Sequence, residues 1–282
     1  MTTDESPDYD WDAVLFPEHL CLMRGGGDLA TGTALRLHRA GFPVAICELE
    51  RPLTVRRAVA ASTALSDPSG VSTIEEMVAQ RVDRLEELGQ LAGTGVVPVI
   101  AFPDLPPVEL TPRSVVVDAR LLKHNPDTSI GDAPLVVALG PGYFAGRDCH
   151  AVIETLRGPN LGRVIHDGPA EADTGTPGVV GGRSSERVVR SPACGEARWI
   201  RTIGDRVSAG ELLGHVGGAP VVATLDGVVR GLVSEETPLK TNMKVGDIDP
   251  RHDTRIDRVS DKALAVGGGV LEAVTTWLDH AA

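Results

Sequence analysis

Residues 20–48 read LCLMRGGGDLATGTALRLHRAGFPVAICE, and this stretch decides the fold. Leu20 to Met23 is a short apolar run that stops at Arg24 and three glycines. From Leu29 to Ala40 the spacing turns helical, with Ala30, Ala34 and Leu37 on one stripe and Gly41 just past the end. Val44 to Cys47 is a second apolar run, closed by Glu48. Strand, glycine turn, helix and strand within about 30 residues is the size of a βαβ unit. Gly25-x-Gly27-x-x-Ala30 fits the dinucleotide-binding fingerprint, and Glu48 falls where such folds place the acid that holds a ribose hydroxyl. A tight turn with no ligand remains the alternative reading of Gly25, Gly26 and Gly27. Asp28 sits in the loop itself. A carboxylate about 5 Å from a phosphate charge costs roughly 3 kcal/mol at an effective dielectric near 20. Asp28 therefore either caps its own helix or meets a phosphate through a cation.

Outward from this unit, Pro52 opens a predicted helix over Leu53–Leu65, and Ile74–Leu91 reads as another, with Met77, Val78, Val82, Leu85 and Leu88 on its apolar side. Val96–Ile100, Val115–Val117 and Leu135–Leu139 are apolar without alternation, as expected of strands buried on both faces. Residues 19–148 are thus read as a Rossmann-like α/β domain with a mostly parallel sheet. Its ligand crevice would lie at the carboxyl ends of the strands. Asp118 ends one strand, with Arg120, Lys123 and His124 beyond it, and Gly140-Pro-Gly142 ends another. The candidate ligand-binding set is therefore Gly25, Gly26, Gly27, Asp28, Glu48, Asp118, Gly140 and Gly142. No metal-ligand set and no catalytic group is assigned.

Residues 149–187 read as a hairpin followed by a long loop of small and polar residues. Glu154, Arg157 and His166 on the hairpin suit a surface ion pair, and Cys149 is either a reactive thiol or a buried inert one. Residues 188–258 read as all-β. Val207-x-x-Gly210-x-x-Leu213-Gly214 returns as Leu239-x-x-Asn242-x-x-Val245-Gly246, a faint repeat that looks like the barrel-sandwich fold of biotinyl and lipoyl carriers. Such carriers modify a lysine at a hairpin tip. The hairpin here is Gly217-Gly-Ala-Pro220, and Met243-Lys244 falls inside the repeat, so a swinging arm is not expected. Residues 259–282 read as a final helix with Ser260 as N-cap. Gly267-Gly-Gly269 either breaks it or marks the close approach of another backbone.

Composition sets the outer limits. The chain has 282 residues, 42% apolar and 23% charged, which suits a folded protein, and its length favours two domains. A formal charge of −12 speaks against nucleic-acid binding. No apolar run approaches a membrane span, and the first residues lack the basic and apolar parts of a secretory signal. Cys21, Cys47, Cys149 and Cys194 show no CxxC spacing. The expectation is a soluble, cytoplasmic protein with no nucleic-acid or membrane partner. Residues 1–18 hold six acids and no Lys or Arg, and read as a disordered tail or as a docking arm anchored by Trp11 and Phe16. No Ser-His-Asp grouping or HExxH motif supports hydrolase chemistry.

Several segments occur together and in order: Arg24-Gly-Gly-Gly-Asp-Leu-Ala-Thr-Gly32, Glu48-x-Glu50-x-Pro52-Leu, Ala138-Leu-Gly-Pro-Gly142, Val152-Ile-Glu-Thr155-x-Arg157-Gly158, Val245-Gly-Asp-Ile-Asp-Pro-Arg251 and Ser260-Asp-Lys-Ala263 with Gly267-Gly-Gly-Val-Leu-Glu-Ala273. Over roughly residues 19–275 the chain resembles the selenium-dependent molybdenum hydroxylase system accessory proteins, which are similar to xanthine dehydrogenase maturation factors. The resemblance implies a maturation factor that holds a nucleotide-type ligand, molybdopterin dinucleotide or another nucleotide, at the strand ends. Its implied partner is a molybdenum hydroxylase or its maturation machinery. A noncatalytic interaction scaffold and an NAD(P)-dependent oxidoreductase remain as alternatives.

Overall fold

The computed structural model describes residues 13–175, 178–179, 181–251 and 253–281. It is an α/β fold built on a large mixed sheet and closed by a C-terminal helix. The nine sheet strands are β1 (Cys21–Arg24), β2 (Val44–Glu48), β3 (Val71–Ile74), β4 (Met77–Val82), β5 (Val97–Ala101), β6 (Val115–Asp118), β7 (Leu135–Leu139), β9 (Ala151–Ile153) and β10 (Val164–Ile165), with the two-residue β8 (Phe144–Ala145) outside the sheet. Their spatial order is β10-β9-β7-β6-β1-β2-β5-β4-β3. The seven strands from β9 to β4 are parallel, while β10 and β3 close the edges antiparallel. The sheet is mostly parallel, as expected, and mixed only because each edge is finished by a short hairpin.

The alternation of a strand builds a core on each face. Cys21, Met23, Ile46, Val115 and Val117 face the helices α1 (Asp28–Arg39) and α4 (Asp261–Ala281). Leu22, Ala45 and Cys47 face the other way, toward Leu88 of α3 (Glu87–Ala92), and Val116, Val136 and Ala138 pack near Tyr143 and Cys149 on that side. This two-sided burial is what the unalternating apolar runs predict.

Two predicted helices are corrected. Ile74–Leu91 forms the β3–β4 hairpin and then α3, with Glu75 turning the corner at φ 55°. The apolar spacing suits either form, and the exposed edge of β5 gives β4 a parallel partner. Leu53–Leu65 holds only a 3₁₀ turn at Arg57–Val59 and the start of the short α2 (Thr63–Ser66). This segment instead runs along the later β region: Arg57 Nε donates to the Leu232 carbonyl (2.7 Å), and Thr237 Oγ1 donates to that of Pro52 (3.0 Å).

That β region follows the two-residue β11 (Gly168–Pro169). It comprises β12 (Val188–Arg190), β13 (Ala197–Trp199), β14 (Arg206–Val207), β15 (Leu212–Val216), β16 (Ala219–Val222), β17 (Gly227–Leu232) and β18 (Lys244–Asp249). They form two antiparallel sheets, β12-β18-β17-β14 and β13-β15-β16, around one aliphatic cluster. The dominant architecture is the nine-stranded sheet rather than a barrel-sandwich, so the fold expectation holds at the coarse α/β level.

α4 starts at Ser260, whose Oγ accepts the Ala263 amide (3.1 Å), as expected of an N-cap. It continues through Gly267–Gly269, and the close-approach alternative is the one observed. A Cβ on Gly267 would lie 2.6 Å from the Gly32 carbonyl oxygen of α1. At the N-terminal side, the Leu15 and Phe16 amides donate to the Gly41 carbonyl, and Phe16 stacks on Phe42 at 4.5 Å. Phe16 thus anchors onto its own chain, and Trp11 lies outside the described residues. No helix among the described residues is long and apolar enough to cross a membrane.

Candidate ligand-binding cleft

The carboxyl ends of β1, β2 and β6 open onto a cavity of about 660 Å³ lined by Gly25, Gly27, Asp28, Glu48, Thr54 and Arg120, with Leu29, Leu49, Leu53 and Leu122 supplying an apolar wall. A second cavity of about 970 Å³ lies beside it. The two share Asp28, Leu29, Arg56 and Lys244. The second is walled by Arg187, Arg230 and Lys244 from the β region, by Arg157, and by Ser260 and Lys262 at the start of α4. Three distant segments of the chain therefore meet at one cleft over the glycine turn.

The three glycines have different duties. Gly25 holds φ 101°, and a Cβ there would press on the Ala119 backbone at 3.1 Å, so it serves the chain crossing. Gly26 donates its amide to Glu48 Oε2 (2.8 Å) and packs against Ile46 and Ser62. Gly27 is the open one: φ is −73°, and the nearest atom to an added Cβ is Thr54 Oγ1 at 3.6 Å. It is also the N-cap of α1 and supplies no side-chain cap, so the first turn of the helix turns amides without intrahelical partners toward the cleft.

Glu48 lies at the strand end as expected, but it closes the loop instead of waiting for a ribose. One carboxylate oxygen takes the Gly26 amide and the other the Leu49 amide (2.7 Å). Burial raises its pKa, and these two amides pull it back in part. Asp28 does not cap α1; it is the first helical residue. Its Oδ2 is paired with Arg56 Nη1 at 2.8 Å. Arg56 is only 7% exposed and also donates to the Arg258 carbonyl. The carboxylate that sequence reasoning sets against a bound anion is thus neutralised by a cation from a segment 28 residues away.

Asp118 is at the predicted strand end but fully buried in an ion network. Arg120 grips it through Nε and Nη2, the Thr128 hydroxyl donates to it, and Arg120 Nη2 reaches on to Asp127 at 2.6 Å. Arg24, 2% exposed, closes the set with a bidentate pair to Asp127 at 3.0 and 2.8 Å. Burial pushes the Asp118 carboxyl up, but hydrogen bonds from Arg120 and Thr128 outweigh it and leave it below the usual range. Hydrogen bonds from Arg24 and Arg120 hold Asp127 down to about 2. This network braces the cleft floor rather than offering a free carboxylate.

Gly140 and Gly142 do not join the cleft. A Cβ on Gly140 would meet Ala170, and one on Gly142 would sit 2.4 Å from the Lys123–His124 backbone. The room they leave is filled by the protein's own loops. Glu154 is buried and accepts the Leu156 and Glu171 amides (both 2.7 Å), while Arg157 pairs bidentately with Asp261 at 2.8 Å. Burial first, and then Asp148, push the Cys149 thiol up to about 12, which makes it inert at neutral pH.

The cations missed by sequence reasoning are the main feature of the second cavity. Arg187 pairs with Asp247 at 2.8 Å, and Arg230 stands 3.8 and 3.7 Å from Asp247 and Asp249. Burial lowers the pKa of Lys244 and Lys262, with Asp247 acting against this at Lys244 and the Arg157 charge adding to it at Lys262. The only sequence signals were Met243-Lys244, weighed as a biotinylation site, and the Lys inside Ser260-Asp-Lys-Ala263. Among the described residues no group of three or more His, Cys, Asp or Glu could hold a metal ion.

No family model matches the chain. It is 43% identical over 256 residues to the uncharacterized protein YqeB of Escherichia coli K12, a match that covers 90% of this chain and 47% of that protein. The chain thus spans about half the length of the curated relative it matches. Among solved structures, an aspartoacylase family protein from Mesorhizobium loti aligns over 25% of this chain and 24% of its own, at 21% identity and a TM-score of 0.22. A succinylglutamate desuccinylase/aspartoacylase from Rhodobacter sphaeroides aligns over 33% and 31%, at 21% identity and a TM-score of 0.23. At those scores neither alignment carries an argument about this chain. None of these three proteins bears a molybdenum-hydroxylase name, and the expected place among molybdenum hydroxylase accessory proteins, with its selenium-dependent maturation role, is withdrawn.

Proposed function

We propose that the protein binds a small organic anion in the paired cavities, with the apolar part of the ligand against Leu29, Leu49 and Leu53 and its charged end toward Lys244 and Lys262. One observation carries the reading. The uncapped first turn of α1, open at Gly27, faces a cavity walled by cations from the β region and from α4. Helix-terminal amides and clustered cations both favour a bound anion. The site residues kept from the sequence are Gly25, Gly26, Gly27, Asp28 and Glu48, with Asp118 as a brace below them. In this reading the two small sheets form a rigid platform, a barrel-sandwich in arrangement, that presents Lys244 without a swinging arm. We place the protein in the cytoplasm, a reading supported by four cysteines that are all free.

The test is a thermal-shift panel of phosphorylated and carboxylated metabolites against wild type and Gly27→Val. At least one compound should raise the wild-type Tm by several degrees and leave Gly27→Val unmoved. A panel in which every compound acts equally on both proteins would remove the cleft from consideration.

A further inference from the structure

Resting on that reading, we propose that the charged end of the ligand is a phosphoryl group, gripped between Lys244 of β18 and Lys262 of α4 above the first turn of α1. The cleft sorts its cations into two classes. Arg56, Arg157 and Arg187 are each held by a carboxylate at 2.8 Å, from Asp28, Asp261 and Asp247. Lys244 and Lys262 make no ion pair among the described residues, though both line the same cavity as Asp28 and Leu29. With no carboxylate within ion-pair distance among the described residues, both amines keep their donors open to an anion from outside. Arg56 and Arg187, both 7% exposed, add a second sign: each lines this cavity, and each has a buried Nε with no partner among the described residues.

The donor types select phosphate over carboxylate. A planar carboxylate is matched by a guanidinium fork, and here the forks of Arg56, Arg157 and Arg187 are already committed to internal acids. Lysine is a point charge with three rotatable donors. Two such amines and the amides of a helix N-terminus surround a tetrahedral dianion from several sides, which is how phosphate is commonly held. Asp28 does not oppose this, because Arg56 neutralises it. The cavity, about 970 Å³, is far larger than one phosphate and leaves room for a diphosphate or a phosphate ester.

The experiment is isothermal titration of pyrophosphate, and separately of citrate, at constant ionic strength. The proteins are wild type, Gly27→Val, the double variant Lys244→Gln/Lys262→Gln, and Lys240→Gln as a control outside the cleft. Pyrophosphate should bind wild type and Lys240→Gln alike, and the double variant about 30-fold more weakly. Lys244→Arg/Lys262→Arg keeps both charges and should retain most of the affinity, which separates loss of charge from loss of fold. Equal binding by wild type and the double Gln variant, or no pyrophosphate binding by wild type, would overturn the phosphoryl assignment. If citrate binds wild type but not Gly27→Val while pyrophosphate does not bind, the phosphoryl assignment falls and the organic-anion reading stands. Failure of both probes, together with a silent metabolite panel, sinks both.

Discussion

Asp28→Asn sets two effects of opposite sign against each other. The carboxylate pairs with Arg56 at 2.8 Å and lies at the first position of α1, where a negative charge is worth about 0.3–1 kcal/mol. Removing one partner of a fully buried pair costs about 3–5 kcal/mol. Asp28 is 25% exposed on its side chain, and Asn keeps an oxygen for Arg56, so the expected loss is nearer 1–2 kcal/mol. For a chain of this length that is a fall in Tm of roughly 2–6 °C. The same substitution frees the Arg56 charge in a wall common to both cavities. At about 5 Å and an effective dielectric near 20, one unit charge is worth up to roughly 3 kcal/mol to an anion. The unliganded variant should therefore melt below wild type but gain more stability from added pyrophosphate. Scanning fluorimetry with and without pyrophosphate, in magnesium and in EDTA, reads both arms. A variant as stable as wild type would show the pair to be inert. Weaker anion binding that appears only with magnesium would make Asp28 a ligand to a bridging cation and refute the neutralisation argument.

The three-glycine loop separates by position. Gly25→Val, forced to φ 101° and against Ala119, should lose about 2–3 kcal/mol in urea unfolding, whereas Gly27→Val should unfold within about 0.5 kcal/mol of wild type and bind anions about 100-fold more weakly, near 2.7 kcal/mol. In α4, Gly267→Val meets the Gly32 carbonyl and should cost about 3 kcal/mol, while Gly268→Ala, with nothing within 4 Å, should stabilise by about 0.5–1 kcal/mol in the same assay. Asp127 has a folded pKa of about 2 against an ordinary value of about 3.9, so its pairs with Arg24 and Arg120 contribute stability above about pH 4 that is lost as pH falls through about 2. Urea midpoints measured from pH 5 to pH 2 should fall less steeply for Asp127→Asn than for wild type.

The βαβ unit was legible because its signals are local: an apolar run, a glycine turn, a helical stripe and a second run lie within residues 20–48. The Ser260 cap is equally local. Ile74–Leu91 misled because its apolar spacing suits a helix as well as a hairpin, and only pairing with β5 decides between them. The site was half legible for a related reason. Gly27 and Glu48 sit at strand and helix ends that sequence periodicity can place. Nothing local joins Asp28 to Arg56, or brings Lys244 and Lys262 to the same cavity from more than 200 residues along the chain. Gly140 and Gly142 carried the right residue type, but their space is taken by Ala170 and the Lys123–His124 backbone, which no spacing rule reveals.

Ligand binding in this cleft is open to a direct test. Hydrogen–deuterium exchange with the metabolite that most raises the Tm tests it most directly. Binding in the cleft should slow exchange at residues 26–30, 53–57, 244–247 and 260–264, with no change around the separate cavity of about 420 Å³ beside Trp199 and Glu235. Protection confined to the Trp199 cavity, or to the outer edge at β3 and β4, would contradict it.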